Sequence, residues 1–410
     1  MRILILSDGI PPDHIGGAEL VAWRLAQAFQ QQGHEVHIIC RSAQPAAEWR
    51  AEGISIHSIQ VNYPPRFRAY LSLYQPQVAA KLKKLFQQIQ PDIINAHNIH
   101  QYLTYHSLNI AHKLGIPLIF SAHDAMPIAY TKIEDRVQQA SASDYRLPFA
   151  YNLRQNRLRY NPFRQFFIRR ALSVCAFRTS PSQALAQALE DNGLPPFEVV
   201  PNGIDLAHWQ ADHALTEHFR QELALVGKQV ILIAGRLNRE KGMGQILAAF
   251  QKVLEKKPDT RLLILSAKPL HEQIPPQHPL HSEIGHRIIS GAWRQGVALA
   301  SMMALADIVT SPSIYLEPFN LVNIEAMALG RAVVTTRFGG PAEVVQDGQS
   351  GRLVNPFDIE AYSQILIELL EDQALRQRLG ENGRQRVESF YTLQQQSHRM
   401  LTLFQSALEP

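Results

Sequence analysis

Short apolar runs alternate along this chain with longer stretches whose apolar residues recur every three to four positions. Arg2–Ser7 is such a run, and Ala18–Gln31 sets Leu20, Trp23, Leu25, Ala28 and Phe29 on or near one helical face. Gly33 ends that helix, and Glu35–Cys40 begins the next run. The spacing predicts further strands over 54–61, 92–96, 117–121 and 174–179, and helices over 77–90, 102–114 and 183–191. Apolar strands alternating with helices imply a parallel sheet covered on both faces.

The pattern restarts near residue 228. Strands are predicted over 229–234, 261–266, 287–290, 307–311, 332–336 and 351–354, with a helix over 242–255. The join falls at Val199–Asp205, where Pro201 and Asn202-Gly203 are turn signals. A chain of 410 residues is long enough for two cores. The fold class is α/β: two doubly wound Rossmann-like domains, 1–200 and 201–390, expected to face each other across a cleft. Ligands of such sheets sit at the carboxyl ends of the strands. Residues 391–410 hold a last helix with no strand after it, expected to pack back on the first domain.

Composition narrows the function. The net charge of +4 is too small to argue for nucleic acid, and no recognition module for it is visible. The charge is uneven: residues 1–200 carry 20 Lys and Arg against 14 Asp and Glu, and the remainder 20 against 22. An anionic surface or partner is therefore expected on the first half. Cys40 and Cys175 lie in apolar runs and read as buried free thiols of a reducing cytoplasm. Ile3–Leu6 is too short for a signal peptide, and nothing approaches the ~18 apolar residues of a spanning helix.

Residues 145–178 contain eight arginines and no acidic residue, interleaved with Tyr151, Tyr160, Phe163, Phe166 and Phe167. Two readings stand. One is a peripheral contact with the inner face of a membrane, aromatic rings dipping into the interface. The other is a solvated helix pair whose phenylalanines are core.

The chemistry concentrates in the second half. Glu317 and Glu325 stand eight positions apart around Pro318 and Asn320. Pro318 keeps Glu317 out of helical geometry. A helix can then begin at Asn320, a good N-cap, and close at Gly330. Carboxylates beside a helix N-terminus can hold hydroxyls while the unpaired N–H groups hold a phosphate. A sugar nucleotide presents both. Gly235-Arg236-Leu237 through Lys241-Gly242 adds two cations suited to a diphosphate. In the first half, Ser121-Ala122-His123-Asp124 follows a predicted strand, as do His97 and His100. Local hydrogen bonding and a place in the site are both open for these residues.

The run from Ser311 to Pro356, with Gly339-Gly340, Glu343, Asp347-Gly348 and Gly351 after the glutamate pair, resembles the signature of retaining family 4 glycosyltransferases of GT-B architecture. The Gly235–Gly242 block and Val200–Asp205 share the resemblance, which spans nearly the whole chain. It implies a retaining, metal-independent transfer of sugar from a nucleoside diphosphate sugar (UDP or GDP) to a hydroxyl acceptor: a saccharide, a lipid-linked saccharide or a small molecule. No cofactor is implied beyond that co-substrate. By the same resemblance Glu325 would bind the ribose and Glu317 the donor sugar. The backbone of Phe319, Asn320 and Leu321 would hold sugar and phosphates, and Arg236 and Lys241 the diphosphate. Gly16-Gly17 would admit the phosphates to a helix N-terminus, and His123 would donate to the sugar or the departing phosphate.

The chain departs from the family pattern in two places. Asn320 stands where glycine is usual, and a Pro- and His-rich loop (His271, His278, His281, His286) replaces a glycine-rich turn. Trp293 is expected in the core, with stacking on the base as the other reading. A nucleotide-sugar epimerase, a phosphorylase-like enzyme and an inactive sugar-nucleotide-binding protein are the alternatives on this architecture.

Overall fold

Strand β1, Arg2–Ser7, is buried from Ile3 onward. Such a run has no solvent face, so both sides must be covered. The computed structural model describes residues 1–12, 16–134, 145–156, 160–235, 237–267, 269, 272 and 284–409. The chain divides into two compact units, Met1–Ile133 with Ala140–Asn202 and Leu393–Pro410, and Glu134–Gln139 with Gly203–Thr392.

In the first unit β1 is followed by α1 (Gly17–Gln31), β2 (Glu35–Ser42), β3 (Glu48–Ala51) and β4 (Ile54–Gln60). The helices α2 (Arg68–Leu71), α3 (Pro76–Ile89) and α4 (His106–Lys113) come next, with β5 (Ile93–His97) between the last two. After β6 (Leu118–Ser121) the chain forms α5 (Phe149–Asn156), α6 (Arg164–Leu172), β7 (Phe177–Ser180), α7 (Gln183–Asp191) and β8 (Glu198–Val199). The sheet order is β3-β4-β2-β1-β5-β6-β7-β8. Its pairings are parallel except β3 on β4. The C-terminal helix, Leu393–Leu408, belongs to this unit. Its Phe404 meets Phe29 of α1 at 5.3 Å between ring centroids, and Gln32 donates to Ser397 Oγ at 3.1 Å.

Two differences from the periodicity have physical causes. Strand β3 carries no apolar alternation; Glu48, Trp49 and Arg50 are exposed on a sheet edge, where charge blunts further pairing. The helix expected over 102–114 begins only at His106. The Asp8 carboxylate accepts from the backbone N–H of Gln101, Tyr102 and Leu103 at 2.8, 2.9 and 2.8 Å, and Thr104 lies at φ +65°. A side chain 93 residues upstream thus holds the segment out of the helix that its own pattern favours.

In the second unit the strands are β9 (Val230–Ala234), β10 (Arg261–Ser266), β11 (Ile288–Ala292), β12 (Ile308–Ser311), β13 (Ala332–Thr336) and β14 (Arg352–Val354). The sheet order is β11-β10-β9-β12-β13-β14, parallel throughout. Helices α8 (His213–Glu222), α9 (Met243–Lys256), α10 (Gly296–Met303), α11 (Leu321–Ala328), α12 (Pro341–Val344), α13 (Ile359–Glu371) and α14 (Gln373–Phe390) cover it. Successive strand residues serve opposite faces. Leu232, Leu263 and Val333 enter one core with Met303, Ile324 and Met327; Ile231, Ile264 and Val334 enter the other with Phe250 and Tyr362. Trp293 is half-buried against the first of these cores. Two parallel-sheet α/β units are therefore what the alternating pattern implied.

Replacing Asp8 by alanine leaves three enclosed N–H groups without their acceptor. Urea unfolding of Asp8→Ala is expected to show a loss of about 2 kcal/mol or more; an unchanged midpoint would remove Asp8 from this role.

Candidate functional site

Strands β9, β12 and β13 are neighbours and parallel, so the loops that follow them emerge along one edge of the second sheet. Those loops carry Lys241, Glu317 and Gly339. Ile314 N–H donates to Glu240 C=O at 2.9 Å, tying the lysine loop to the glutamate segment. The Asn238 side chain accepts from Lys241 N–H at 3.2 Å and fixes the turn. Gly242 and Gly339, both at positive φ, allow the packing: a Cβ would lie 1.9 Å from Pro312 O at the first and 2.3 Å from Glu317 O at the second.

Glu317 is 4% exposed. Lys241 Nζ approaches its Oε2 to 2.6 Å, Ser313 Oγ donates to the same oxygen at 2.7 Å, and Tyr315 Oη donates to Oε1 at 2.9 Å. Lys241 Nζ also stands 5.3 Å from the centre of the Tyr315 ring. A buried carboxylate costs little when cation and hydroxyls match it, and much when they do not. Sequence reading named Glu317 and Lys241 but missed Ser313 and Tyr315. The signal was present: 313, 315 and 317 share one side of an extended segment.

The remaining donor-side candidates cluster on α11. Phe319 is buried in the core, 6.0 Å from the Tyr391 ring centre, which leaves its backbone for any ligand role. Leu321, the first residue of α11, packs against the same core. Asn320 stands at the N-cap position with φ +68° and ψ 90°, and its side chain makes no capping bond. The cap expected of it is thus absent, and its backbone is turned the way glycine allows. Glu325 is buried within α11, and its C=O accepts from the Trp209 indole at 2.8 Å. Arg236 lies outside the described residues, as do His271, His278 and His281. His286 sits in a single turn, Gly285–Arg287.

In the first unit the loops after β1, β5 and β6 emerge from adjacent parallel strands. Gly16 is the N-cap residue of α1 and Gly17 its first residue. Glu19 lays its carboxylate against Gly16, so an anion nearing this helix end meets a carboxylate first. Asp124 Oδ1 accepts from Met126 N–H at 2.9 Å, a local turn, while Oδ2 lies 3.6 Å from His100 Nε2.

His123 belongs to a buried chain that sequence reading did not assemble. Asn95 Nδ2 donates to Ile119 C=O and to Ser121 Oγ, so Asn95 Oδ1 is the atom 2.6 Å from His97 Nε2. His97 therefore carries its proton on Nε2 and accepts at Nδ1 from His123 Nε2, 2.8 Å away. The neutral His123 ring is left with a lone pair at Nδ1. It offers an acceptor to a hydroxyl and has no proton to give there. Burial lowers the pKa of His97 well below the usual value, and takes His100 and His123 to about 4.

Four further buried atoms near this loop, Ser72 Oγ, His100 Nδ1, Thr104 Oγ1 and Tyr105 Oη, have no hydrogen-bond partner among the described residues. Buried polar groups are normally paired, so these four atoms stand out as groups that the described residues leave unsatisfied.

The histidines give a pH prediction. An unfolded histidine binds a proton near pH 6.5; His123 in the folded chain does so only near pH 4. Between those values the unfolded chain holds the extra proton, so stability is complete above pH 6.5 and falls as pH falls. Asp8 opposes this: burial raises its pKa from 3.8 to about 6, so the folded chain holds a proton there that the unfolded chain lacks. Three histidines outweigh one aspartate. The melting temperature is expected to drop from pH 6.5 to pH 4, and His123→Asn to flatten the dependence by up to about 1.4 kcal/mol per pH unit. An unchanged slope in the variant would show that folding does not lower the pKa of His123.

Comparison with known proteins gives the family and the fold. The family model for Glycosyltransferase Family 4 matches residues 15–208, and that for Glycosyl transferases group 1 matches residues 216–386. Glycogen synthase of Mycobacterium tuberculosis is 26% identical over 416 residues, covering 96% of this chain and 92% of its own. Sucrose-phosphate synthase from Thermosynechococcus elongatus has the same fold, with a TM-score of 0.77 at 22% identity over 99% of this chain and 98% of that one. So does Anabaena HepE, solved with UDP and glucose: TM-score 0.72, 19% identity, 99% and 100% covered. Family matches on both halves, joined to two parallel-sheet units of this topology, place the chain among the family 4 glycosyltransferases of GT-B fold.

Proposed function

We propose that the protein transfers a sugar from a nucleoside diphosphate sugar to a hydroxyl acceptor with retention of anomeric configuration. The observation that carries this reading is the Lys241–Glu317 pair, held at 2.6 Å four residues ahead of the α11 N-terminus. A donor of this class brings phosphate charge and sugar hydroxyls together. Lys241 and the N–H groups of α11 suit the first, and the Glu317 carboxylate suits the second. As the bond from the anomeric carbon to the phosphate oxygen breaks, negative charge builds on the diphosphate. Lys241 stabilises it in place, with Arg236 assigned the same task on family grounds. The reading gives charge neutralisation to these side chains rather than to a metal ion.

Glu317 already accepts from three donors, which makes it a poor nucleophile. That supports transfer without a glycosyl–enzyme intermediate, the acceptor attacking on the face the diphosphate leaves. Glu325 takes the ribose hydroxyls in this reading, and the backbone of Phe319, Asn320 and Leu321 the sugar and phosphates. Gly16-Gly17 takes phosphate once Glu19 has moved aside. The His123 Nδ1 lone pair takes a sugar hydroxyl. UDP is favoured over GDP because HepE, alike in fold, was solved with UDP. The unpartnered polar atoms around Thr104 and Tyr105 support a hydroxylated acceptor on the first unit. The cytoplasm is the proposed location, in keeping with cysteines that are both buried.

Lys241→Ala leaves Glu317 its two hydroxyl donors but not its cation, so a melting curve has to show a folded variant before its activity is read. Lys241→Ala and Glu325→Ala are each expected to lower transfer by about tenfold or more. Wild-type turnover in both variants would refute the assignment. Product configuration is a separate check: an α-configured donor should give an α-linked product, read from the anomeric proton coupling early in the reaction. A β-linked product would overturn retention while leaving the transferase reading in place. Incubation with donor alone is expected to give no isomerised nucleotide sugar, the outcome that separates this reading from an epimerase.

A further inference from the structure

Helix α6 buries Ile168, Ala171 and Leu172, and turns a charged residue inward with them while large aromatic rings stay outside. Arg164 is 3% exposed, with its guanidinium donating to Met126 C=O at 2.7 Å and to Pro127 C=O at 3.4 Å, and lying 4.8 Å from the Tyr130 ring centre. Phe163, Phe166 and Phe167, which a core would take first, are 67, 61 and 51% exposed. The core reading of these phenylalanines therefore does not hold. Large apolar side chains grouped on a surface mark an interaction site.

The patch reaches beyond one helix. Phe149, 64% exposed, sets its ring edge-on to Tyr160 at 5.3 Å. Tyr70, half exposed, donates to Tyr160 C=O at 3.3 Å, and Asn161 Nδ2 donates to Ala69 C=O at 3.1 Å. Helices α2, α5 and α6 are thereby joined around residues 160–163. Exposed Phe67 belongs to the turn leading into α2, where Arg66 lies 4.9 Å from its ring centre.

The charge of these segments has one sign. Residues 53–91 and 145–189 contain no aspartate or glutamate, while the two hold five and eight Lys or Arg. Arg66, Arg146, Arg154, Arg169 and Arg170 are exposed among the aromatic rings. A protein partner would need an apolar and acidic face of matching shape. An anionic bilayer supplies phosphates for the arginines and an interfacial layer for the rings without any such match. Among the described residues no helix is long and apolar enough to cross a membrane, so the contact would lie on the surface.

We propose that the face formed by α2, α5 and α6 docks on an anionic phospholipid bilayer, rings of Phe163, Phe166 and Phe167 in the interface and arginines on the lipid phosphates. It stands independently of the transferase reading, since it uses none of the donor-side residues.

Co-sedimentation of the full chain with phosphatidylcholine vesicles, with and without phosphatidylglycerol, tests it. The protein is expected to pellet with the anionic vesicles at low salt and to be released at high salt. Arg169→Gln/Arg170→Gln is expected to weaken binding by about tenfold or more, and Phe166→Ser/Phe167→Ser to weaken it also, with melting temperatures kept because all four side chains are exposed. Phe166→Trp should shift its emission to the blue on anionic vesicles. No pelleting at low salt, equal binding by the phenylalanine variant, or unshifted emission overturns the proposal. A concentration-dependent dimer that the phenylalanine variant abolishes, without vesicle binding, would assign the face to a second copy of the chain.

Discussion

A buried carboxylate has to be matched, and the edge of the second sheet is built around that requirement. Glu317 can sit there because Lys241, Ser313 and Tyr315 all reach it. They reach it because the segment from Pro312 to Pro318 lies against two loops whose glycines leave it room. The lysine loop is stitched to that segment by the Glu240–Ile314 hydrogen bond. An ion pair of this kind does little for stability against an apolar alternative. What it does is hold a cation at the strand ends with part of its surface open to solvent, 27% for the Lys241 side chain. In the proposed reading a ligand's negative charge would meet a group already oriented, leaving little reorganisation for the moment of bond breaking.

The first unit meets a comparable requirement with neutral groups. Asn95, His97 and His123 form a chain whose protons are fixed by one amide that can only donate on one side. Burial keeps the rings uncharged, and the end of the chain becomes a lone pair. Asp8 settles the neighbouring loop from the end of β1. Both units thus bring polar side chains to the carboxyl ends of their strands, where parallel sheets place their ligands.

Much of this was legible in the sequence. Runs such as Ile3–Leu6 and Leu262–Leu265 have no polar face, so they read as strands covered on both sides, and they are. The glutamate pair, Lys241 and the glycines around them identified the family. What stayed hidden depended on distant partners. The late start of α4 follows from Asp8, and the burial of Arg164 from Met126, Pro127 and Tyr130, none of them local. Aromatic spacing in 163–167 suggested a core because period alone does not say which face of a helix turns inward. Asn320 was visible as a departure from glycine; the structure adds that the positive φ is kept while the cap is lost. Edge strand β3 had no pattern to read.

The account rests on the Lys241–Glu317 pair as the place where the donor diphosphate binds. A crystal structure of the full chain with UDP addresses it directly. The account predicts a phosphate oxygen within about 3 Å of Lys241 Nζ, with that lysine still beside Glu317. A nucleotide bound with its phosphates away from Lys241 and the start of α11 would contradict it.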